Sequence, residues 1–253
     1  MIRSLRTAEK AMQMEQVRID ALANNLANVD STGFRQILTR VKEENEAAGP
    51  GGAPQALKMG PEAWAAQPRL EMGHAMDVRP GPIEETGRPT DVAIMGRGFF
   101  VIGTEDGERY TRNGSFILNE QRQLTTPEGH LVQGEGGPLT LDGNAFSIEP
   151  DGTVMVDGNQ TGKLRLVDFA EPTRLEHMGA NLLTAPEDMQ AQPVPAGEAT
   201  VAQGHIEGSN VNAVDTLVAM IAAQRAFEVQ SKVMSTEDEM LNKSVNNLPR
   251  ISA

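Results

Sequence analysis

The chain contains no cysteine. Disulfides, thiolate metal centres and cysteine nucleophiles are therefore excluded. Aromatic residues make up only 4%, with one Trp, one Tyr and seven Phe, so the core must be built from aliphatic side chains and the 13 methionines. No stretch approaches the roughly 18 apolar residues of a membrane-spanning helix. Arg3, Arg6 and Lys10 are followed by no apolar run, so no cleaved secretory signal is expected. A basic excess is also missing: the net charge is −13, which argues against a nucleic-acid footprint.

The acid is unevenly placed. Residues 1–46 carry seven basic and seven acidic side chains, and residues 206–253 carry four and six. Between them lie eleven basic and twenty-two acidic residues, so nearly all the net charge belongs to the middle. Either this is simply a solvated acidic surface on the middle domain, or the nearly neutral ends pack closely against copies of themselves, where net charge would repel.

Those ends have helical periodicity. Leu5, Ala8, Met12, Glu15, Ile19, Leu22, Leu26 and Val29 step by three and four, and only Glu15 breaks the apolar seam. Gly33 suits the left-handed position that closes such a helix. Near the other end Ala213, Leu217, Met220, Gln224, Phe227, Ser231, Met234, Asp238, Leu241, Val245 and Leu248 repeat the pattern, with Ile221 adding apolar surface. Asn212 is placed to cap this helix and Pro249 to end it. Met12, Met14, Met220, Met234 and Met240 fit ordinary helix packing, or an adaptable binding groove.

Between the helices the period changes to two. Ala47–Gln55 is a Gly/Pro-rich joint, and Phe99–Ile102 opens a run of short strands punctuated by Asp106-Gly107, Asn113-Gly114, Asp142-Gly143, Asp151-Gly152 and Asp157-Gly158. Lys163–Phe169 alternates as a half-buried strand should. The expected fold class is α+β. An N-terminal helix (1–35) pairs as a coiled coil with a C-terminal helix (206–253), an extended linker covers 36–80, and 81–205 form a β-rich middle domain.

No motif carries catalytic chemistry. Asp30-Ser31-Thr32-Gly33 has one residue too many for the aspartic-protease triplet and no second copy to complete a carboxylate dyad. Gly96-Arg97-Gly98 leads into a strand, where a dinucleotide loop needs a helix. His74, His130, His177 and His205 have no metal-ligand spacing. Glu84 and Glu85 are adjacent acids in a Pro-rich stretch. The expectation is a protein that is not an enzyme and takes no cofactor, metal or small-molecule substrate. A coiled-coil stalk carrying a β domain, and a hydrolase using middle-domain carboxylates, are the rival readings.

Three separated blocks carry a resemblance. ALANNLANVDSTGF (residues 21–34), DVAIMGRGFFVI with YTRNGSF, and QGHIEGSNVNAVDTLVAMIAAQRAFEVQSKVMSTEDEML resemble, in this order, the flagellar rod and hook family of axial proteins. Together with GKLRLVDFAEPTRLEHMGANLL they cover just over a third of the chain. Within the family, QGEGGPLTL and GKLRLVDFAEPTRLEHMGANLL look more like the proximal rod members and the opening MIRSL like the distal ones. The resemblance implies a structural subunit of the basal-body rod that polymerises through its terminal helices into a torque-transmitting shaft. It implies export through the flagellar type III apparatus without a cleaved signal peptide, and other copies and neighbouring rod and hook proteins as partners. The expected assembly interface comprises Leu5, Met12, Ile19, Leu22, Asn24, Asn25, Leu26, Asn28, Val29, Leu217, Met220, Ile221, Phe227, Met234 and Leu241. Asparagine is a poor helix former, so three in ANNLAN need a reason. They either fix the stagger between subunits or form a local turn into Asp30-Ser31.

Overall fold

A computed structural model describes residues 2–44, 69–143, 145–195 and 197–246. The Gly/Pro-rich joint expected at 47–55 lies outside the described residues. The fold class is α+β, with a β-rich middle and a helix towards each end. Helix α1 runs Ile2–Ala27 and helix α2 runs Ala213–Asn246. Among the described residues, no helix is long and apolar enough to cross a membrane.

The chain forms two compact units. One comprises residues 1–21, 39–74 and 221–253, and holds the first part of α1 and the second part of α2. The other comprises 22–38 and 75–220 and holds the β domain. Strands Ile37–Glu44 and Arg69–Met76 pair with each other, so ladder hydrogen bonds cross the stretch that the sequence reads as extended linker.

The β domain is organised by one strand, Phe99–Thr104, at the centre of a ten-stranded sheet. It pairs antiparallel with Gly107–Thr111, Leu131–Gly134 and Leu166–Asp168. Successive side chains on a strand point to opposite faces. Phe100 and Ile102 enter one apolar cluster with Val92, Phe116, Leu124, Val132 and Val154. Phe99 and Val101 enter a second with Tyr110, Val167, Phe169 and Leu183. Four apolar residues in a row are what a strand covered on both faces requires. Phe100 meets Phe116 edge-on at 5.2 Å, and Tyr110 meets Phe169 edge-on at 4.8 Å, so the few rings are concentrated where they bury most area.

The expected hairpins form around Asp106-Gly107, Asp151-Gly152 and Asp157-Gly158. Asn113-Gly114 does otherwise. Gly114 leaves no space for a side chain, since a Cβ there would sit 1.6 Å from the Val92 carbonyl oxygen, and Ser115 bridges to Asp91. The stretch 163–169 is not one strand: it breaks at Leu164-Arg165, where Leu164 bridges Gly134, and resumes at Leu166–Asp168.

Candidate assembly surface and a buried junction

Along α1 the anticipated seam is partly covered. Met12, Ile19, Leu22, Leu26 and Val29 are half-buried, whereas Glu9, Gln13, Gln16 and Asp20 face solvent. Glu15, the one polar residue of the seam, has a buried Oε2 with no hydrogen-bond partner.

Along α2 the covered line differs from the expected one. Met220, Phe227 and Met234 are half-buried as anticipated, but the positions between them are Thr216 (3% exposed), Ala223 (1%) and Gln230, where the sequence pointed to Leu217, Gln224 and Ser231. Leu217 is 47% exposed and Ile221 43%. The cause is visible in composition: α2 is apolar around much of its circumference, and small Thr216 and Ala223 admit closer approach than Leu217 and Gln224. Val214, Val218, Val229, Val233 and Met240 are exposed as well, which leaves α2 a long outward apolar surface. The side chains of Leu5 and Leu241 lie outside the described residues.

The asparagines of ANNLAN are engaged within the chain. Asn25 is 1% exposed. Its amide Nδ2 donates to the Ile37 carbonyl and its Oδ1 accepts the Ile37 N–H, both at 2.8 Å, so the side chain imitates a strand partner. Asn28 Nδ2 donates to the Asn24 carbonyl at 2.9 Å, and Asn28 Oδ1 accepts from Ser31 Oγ at 3.1 Å, closing the turn after the helix. Asn24 is exposed. The expected effect of Asn25→Ala is a loss of about 1–3 kcal/mol, since both Ile37 groups lose their buried partner. Urea denaturation measures it, and an unchanged midpoint would show that water replaces the amide.

Beyond α1 the chain enters a dense junction. Gly33 takes φ +68° and donates its N–H to the Glu207 carbonyl at 2.6 Å. Thr32 Oγ1 donates to Asn113 Oδ1 at 2.8 Å, and Asn181 Nδ2 donates to the Thr32 carbonyl at 3.0 Å. Asn210 Oδ1 accepts the Gln36 N–H at 2.7 Å, and its Nδ2 donates to the Arg79 carbonyl at 2.8 Å. Asn212 caps α2, accepting from the N–H groups of Val214 at 3.0 Å and Asp215 at 3.2 Å. Phe34 stacks on His177 at 5.1 Å, and burial lowers the imidazole pKa.

At the centre lies a buried ion triad. The Glu207 side chain is 1% exposed, with Arg35 at 3% and Arg112 at 5%. Arg35 Nη2 reaches Glu207 Oε1 at 2.6 Å and Arg112 Nη1 reaches Oε2 at 3.2 Å. The Gly81 N–H also donates to Oε1, at 2.9 Å. Arg112 Nη2 donates to the Gly96 carbonyl at 2.7 Å and Nη1 to that of Ile94 at 3.1 Å; Arg35 donates to the carbonyls of Val78 and Arg79. Burial pushes the Arg112 pKa down to about 10, opposed by the Glu207 charge, and lowers that of Arg35 for the same reason. Arg112 therefore stays cationic near neutrality. Reading residue types in sequence missed the triad. The available signal was that YTRNGSF holds Arg112, HIEGSNVN holds Glu207, and Arg35 directly follows STGF.

Among the described residues, no three His, Asp or Glu side chains are grouped to hold a metal ion. The arrangement offers a densely bonded joint and an outward helical surface, with no assembled acid, base and nucleophile among the described residues.

Comparison with known proteins yields the same three blocks. A family described as flagella basal body rod protein matches residues 5–35. The flagellar hook protein FlgE/F/G D1 domain matches 93–156, and the flagellar basal body rod FlgEFG protein C-terminal matches 202–248. The flagellar basal-body rod protein FlgG of Bacillus subtilis is 32% identical, over 97% of this chain and 99% of its own. That of Borreliella burgdorferi is 32% identical, over 99% and 100%. The flagellar basal-body rod protein FlgF of Caulobacter vibrioides is 31% identical, over 92% and 93%.

Proposed function

The chain belongs to the flagellar basal-body rod protein family, whose members are structural and not enzymatic, and from that premise we propose how it builds the rod. Copies join through α1 and α2, pairing as a coiled coil. The observation that carries this reading is the exposed apolar surface of α2, including Leu217 at 47% and Val218 at 61%. An isolated soluble chain gains nothing by exposing it. Many small contacts along packed helices resist shear in parallel, as a torque-bearing shaft requires. Partners are further copies and neighbouring rod and hook proteins in the basal body, reached through the type III export apparatus without removal of a signal peptide.

The proximal position is supported by QGEGGPLTL and GKLRLVDFAEPTRLEHMGANLL. A second reading, the distal position, is favoured by the longer coverage of relatives named FlgG. Complementing deletions of either rod gene decides between them, because only the matching deletion regains motility.

Leu217→Asp tests the assembly reading. The side chain is half exposed, so the substituted chain keeps its melting temperature. A charge buried without a partner costs several kcal/mol, on the order of 3 or more, at each contact in the polymer. The expected result is a folded, exported protein and non-motile cells. Normal rods would reject the helical interface.

A further inference from the structure

We propose that Asn113-Gly114 is a self-modification site that folding closes: in the open chain Asn113 loses its side-chain nitrogen as ammonia, and a chain whose backbone is altered there no longer forms the native joint. The pair is the only Asn-Gly in the sequence. It does not serve as a hairpin turn, because the structure presses it into the junction beside Gly33. The site lies within one chain and draws on no contact between copies.

The chemistry needs only water. The Gly114 backbone nitrogen attacks Asn113 Cγ, and a carbon–nitrogen bond forms. The bond from Cγ to Nδ2 breaks, and Nδ2 leaves as ammonia with the proton that Gly114 gives up. Water then opens the cyclic imide at either of its carbonyls. One opening gives aspartate. The other gives isoaspartate, whose main chain runs through the former side chain and is longer by a carbon. Glycine in the second place favours ring closure, since no Cβ crowds the attacking nitrogen or restricts its backbone.

The folded chain withholds each movement that the ring requires. Asn113 Oδ1 accepts from Thr32 Oγ1 at 2.8 Å and from the Ser115 N–H at 3.0 Å, so the amide is held from both sides. The Asn113 N–H donates to Thr111 Oγ1 at 3.0 Å, and that hydroxyl donates to the Asn181 carbonyl at 2.7 Å. The Gly114 carbonyl accepts the N–H groups of Val92 and Phe116, both at 3.0 Å. Gly114 itself is buried, and an atom added at its Cα would collide with the Val92 carbonyl. On the other side the Gly33 backbone packs on Asn113 so closely that a Cβ on Gly33 would stand 2.6 Å from the Asn113 Cα. The same packing rejects the product. Isoaspartate adds a main-chain atom where there is no space, and it turns Oδ1, which Thr32 and Ser115 hold, into a main-chain oxygen.

The full chain is held in guanidinium chloride and in native buffer at one mildly alkaline pH and one temperature. The peptide containing Asn113 is followed by mass spectrometry, with aspartate and isoaspartate separated by chromatography. The denatured sample is expected to convert. The native sample should convert at least about a hundredfold more slowly, because a locked site reacts only in the small fraction of molecules that are open. Partly converted chains are then diluted from denaturant and treated with a protease that digests whatever has not refolded. Isoaspartate is expected in the digested fraction, and the resistant fraction should be depleted of it. No conversion in denaturant, equal rates in the two samples, or isoaspartate in the resistant fraction at its starting proportion would each overturn the proposal.

Discussion

Glu207→Gln is expected to cost about 3–5 kcal/mol, the typical effect of removing one partner from a buried ion pair. A domain is stable by roughly 5–15 kcal/mol, so the variant should sit near its unfolding threshold. The shape barely changes. What is lost is the carboxylate that touches both guanidiniums, with Arg35 and Arg112 left 3% and 5% exposed. Urea denaturation of the full chain measures the loss. A second readout is specific to the charge. A buried base whose folded pKa lies below its unfolded value is destabilising while protonated, and stability rises as pH climbs through the folded pKa. Arg112 is already lowered to about 10 with Glu207 present, and lower without it. The variant should therefore recover stability as pH is raised towards 10, and a purely steric defect would not. Combining Arg35→Met, Arg112→Met and Glu207→Leu in one chain should recover part of the loss only, because the carbonyls of Ile94, Gly96 and Val78 lose their donors.

Gly33→Ala should be nearly as damaging, by about 3 kcal/mol or more. Two costs combine: a left-handed backbone, about 1–3 kcal/mol, and overpacking, again about 1–3 kcal/mol. The new Cβ would lie 2.2 Å from the Asn113 nitrogen and 2.4 Å from the Arg112 carbonyl carbon, both backbone atoms that cannot swing away. Gly87→Ala is the control, for Gly87 has φ +70° and nothing within 4 Å of the added methyl. It should show the first cost alone. Equal losses at the two sites would mean that the junction has room to yield.

The sequence conveyed the fold well where local chemistry decides it. Phe99–Ile102 reads as a strand, and the structure covers it on both faces. Asn212 before an apolar period reads as a cap, which it is, and Gly33 takes the left-handed conformation expected after α1. Phase around α2 was not legible. Val214, Leu217, Val218 and Ile221 extend the apolar surface, so steps of three and four fit more than one line, and packing against small Thr216 and Ala223 decides among them. The asparagines were legible as an anomaly but not as an answer, since Ile37, the partner of Asn25, has nothing in its own type to announce the bond. The triad was hidden for another reason. Its members are 77 and 95 residues apart in sequence, and a charge says nothing about its depth until the chain has folded around it.

That separation has a consequence for how the molecule is made. A chain cut short between residues 194 and 206 carries both guanidiniums and every strand of the central sheet, yet lacks the carboxylate that neutralises the pair in the interior. Such a chain holds two like charges in its interior with the Glu207 counter-charge missing, so the stability of the β domain depends on the last fifth of the polypeptide being present.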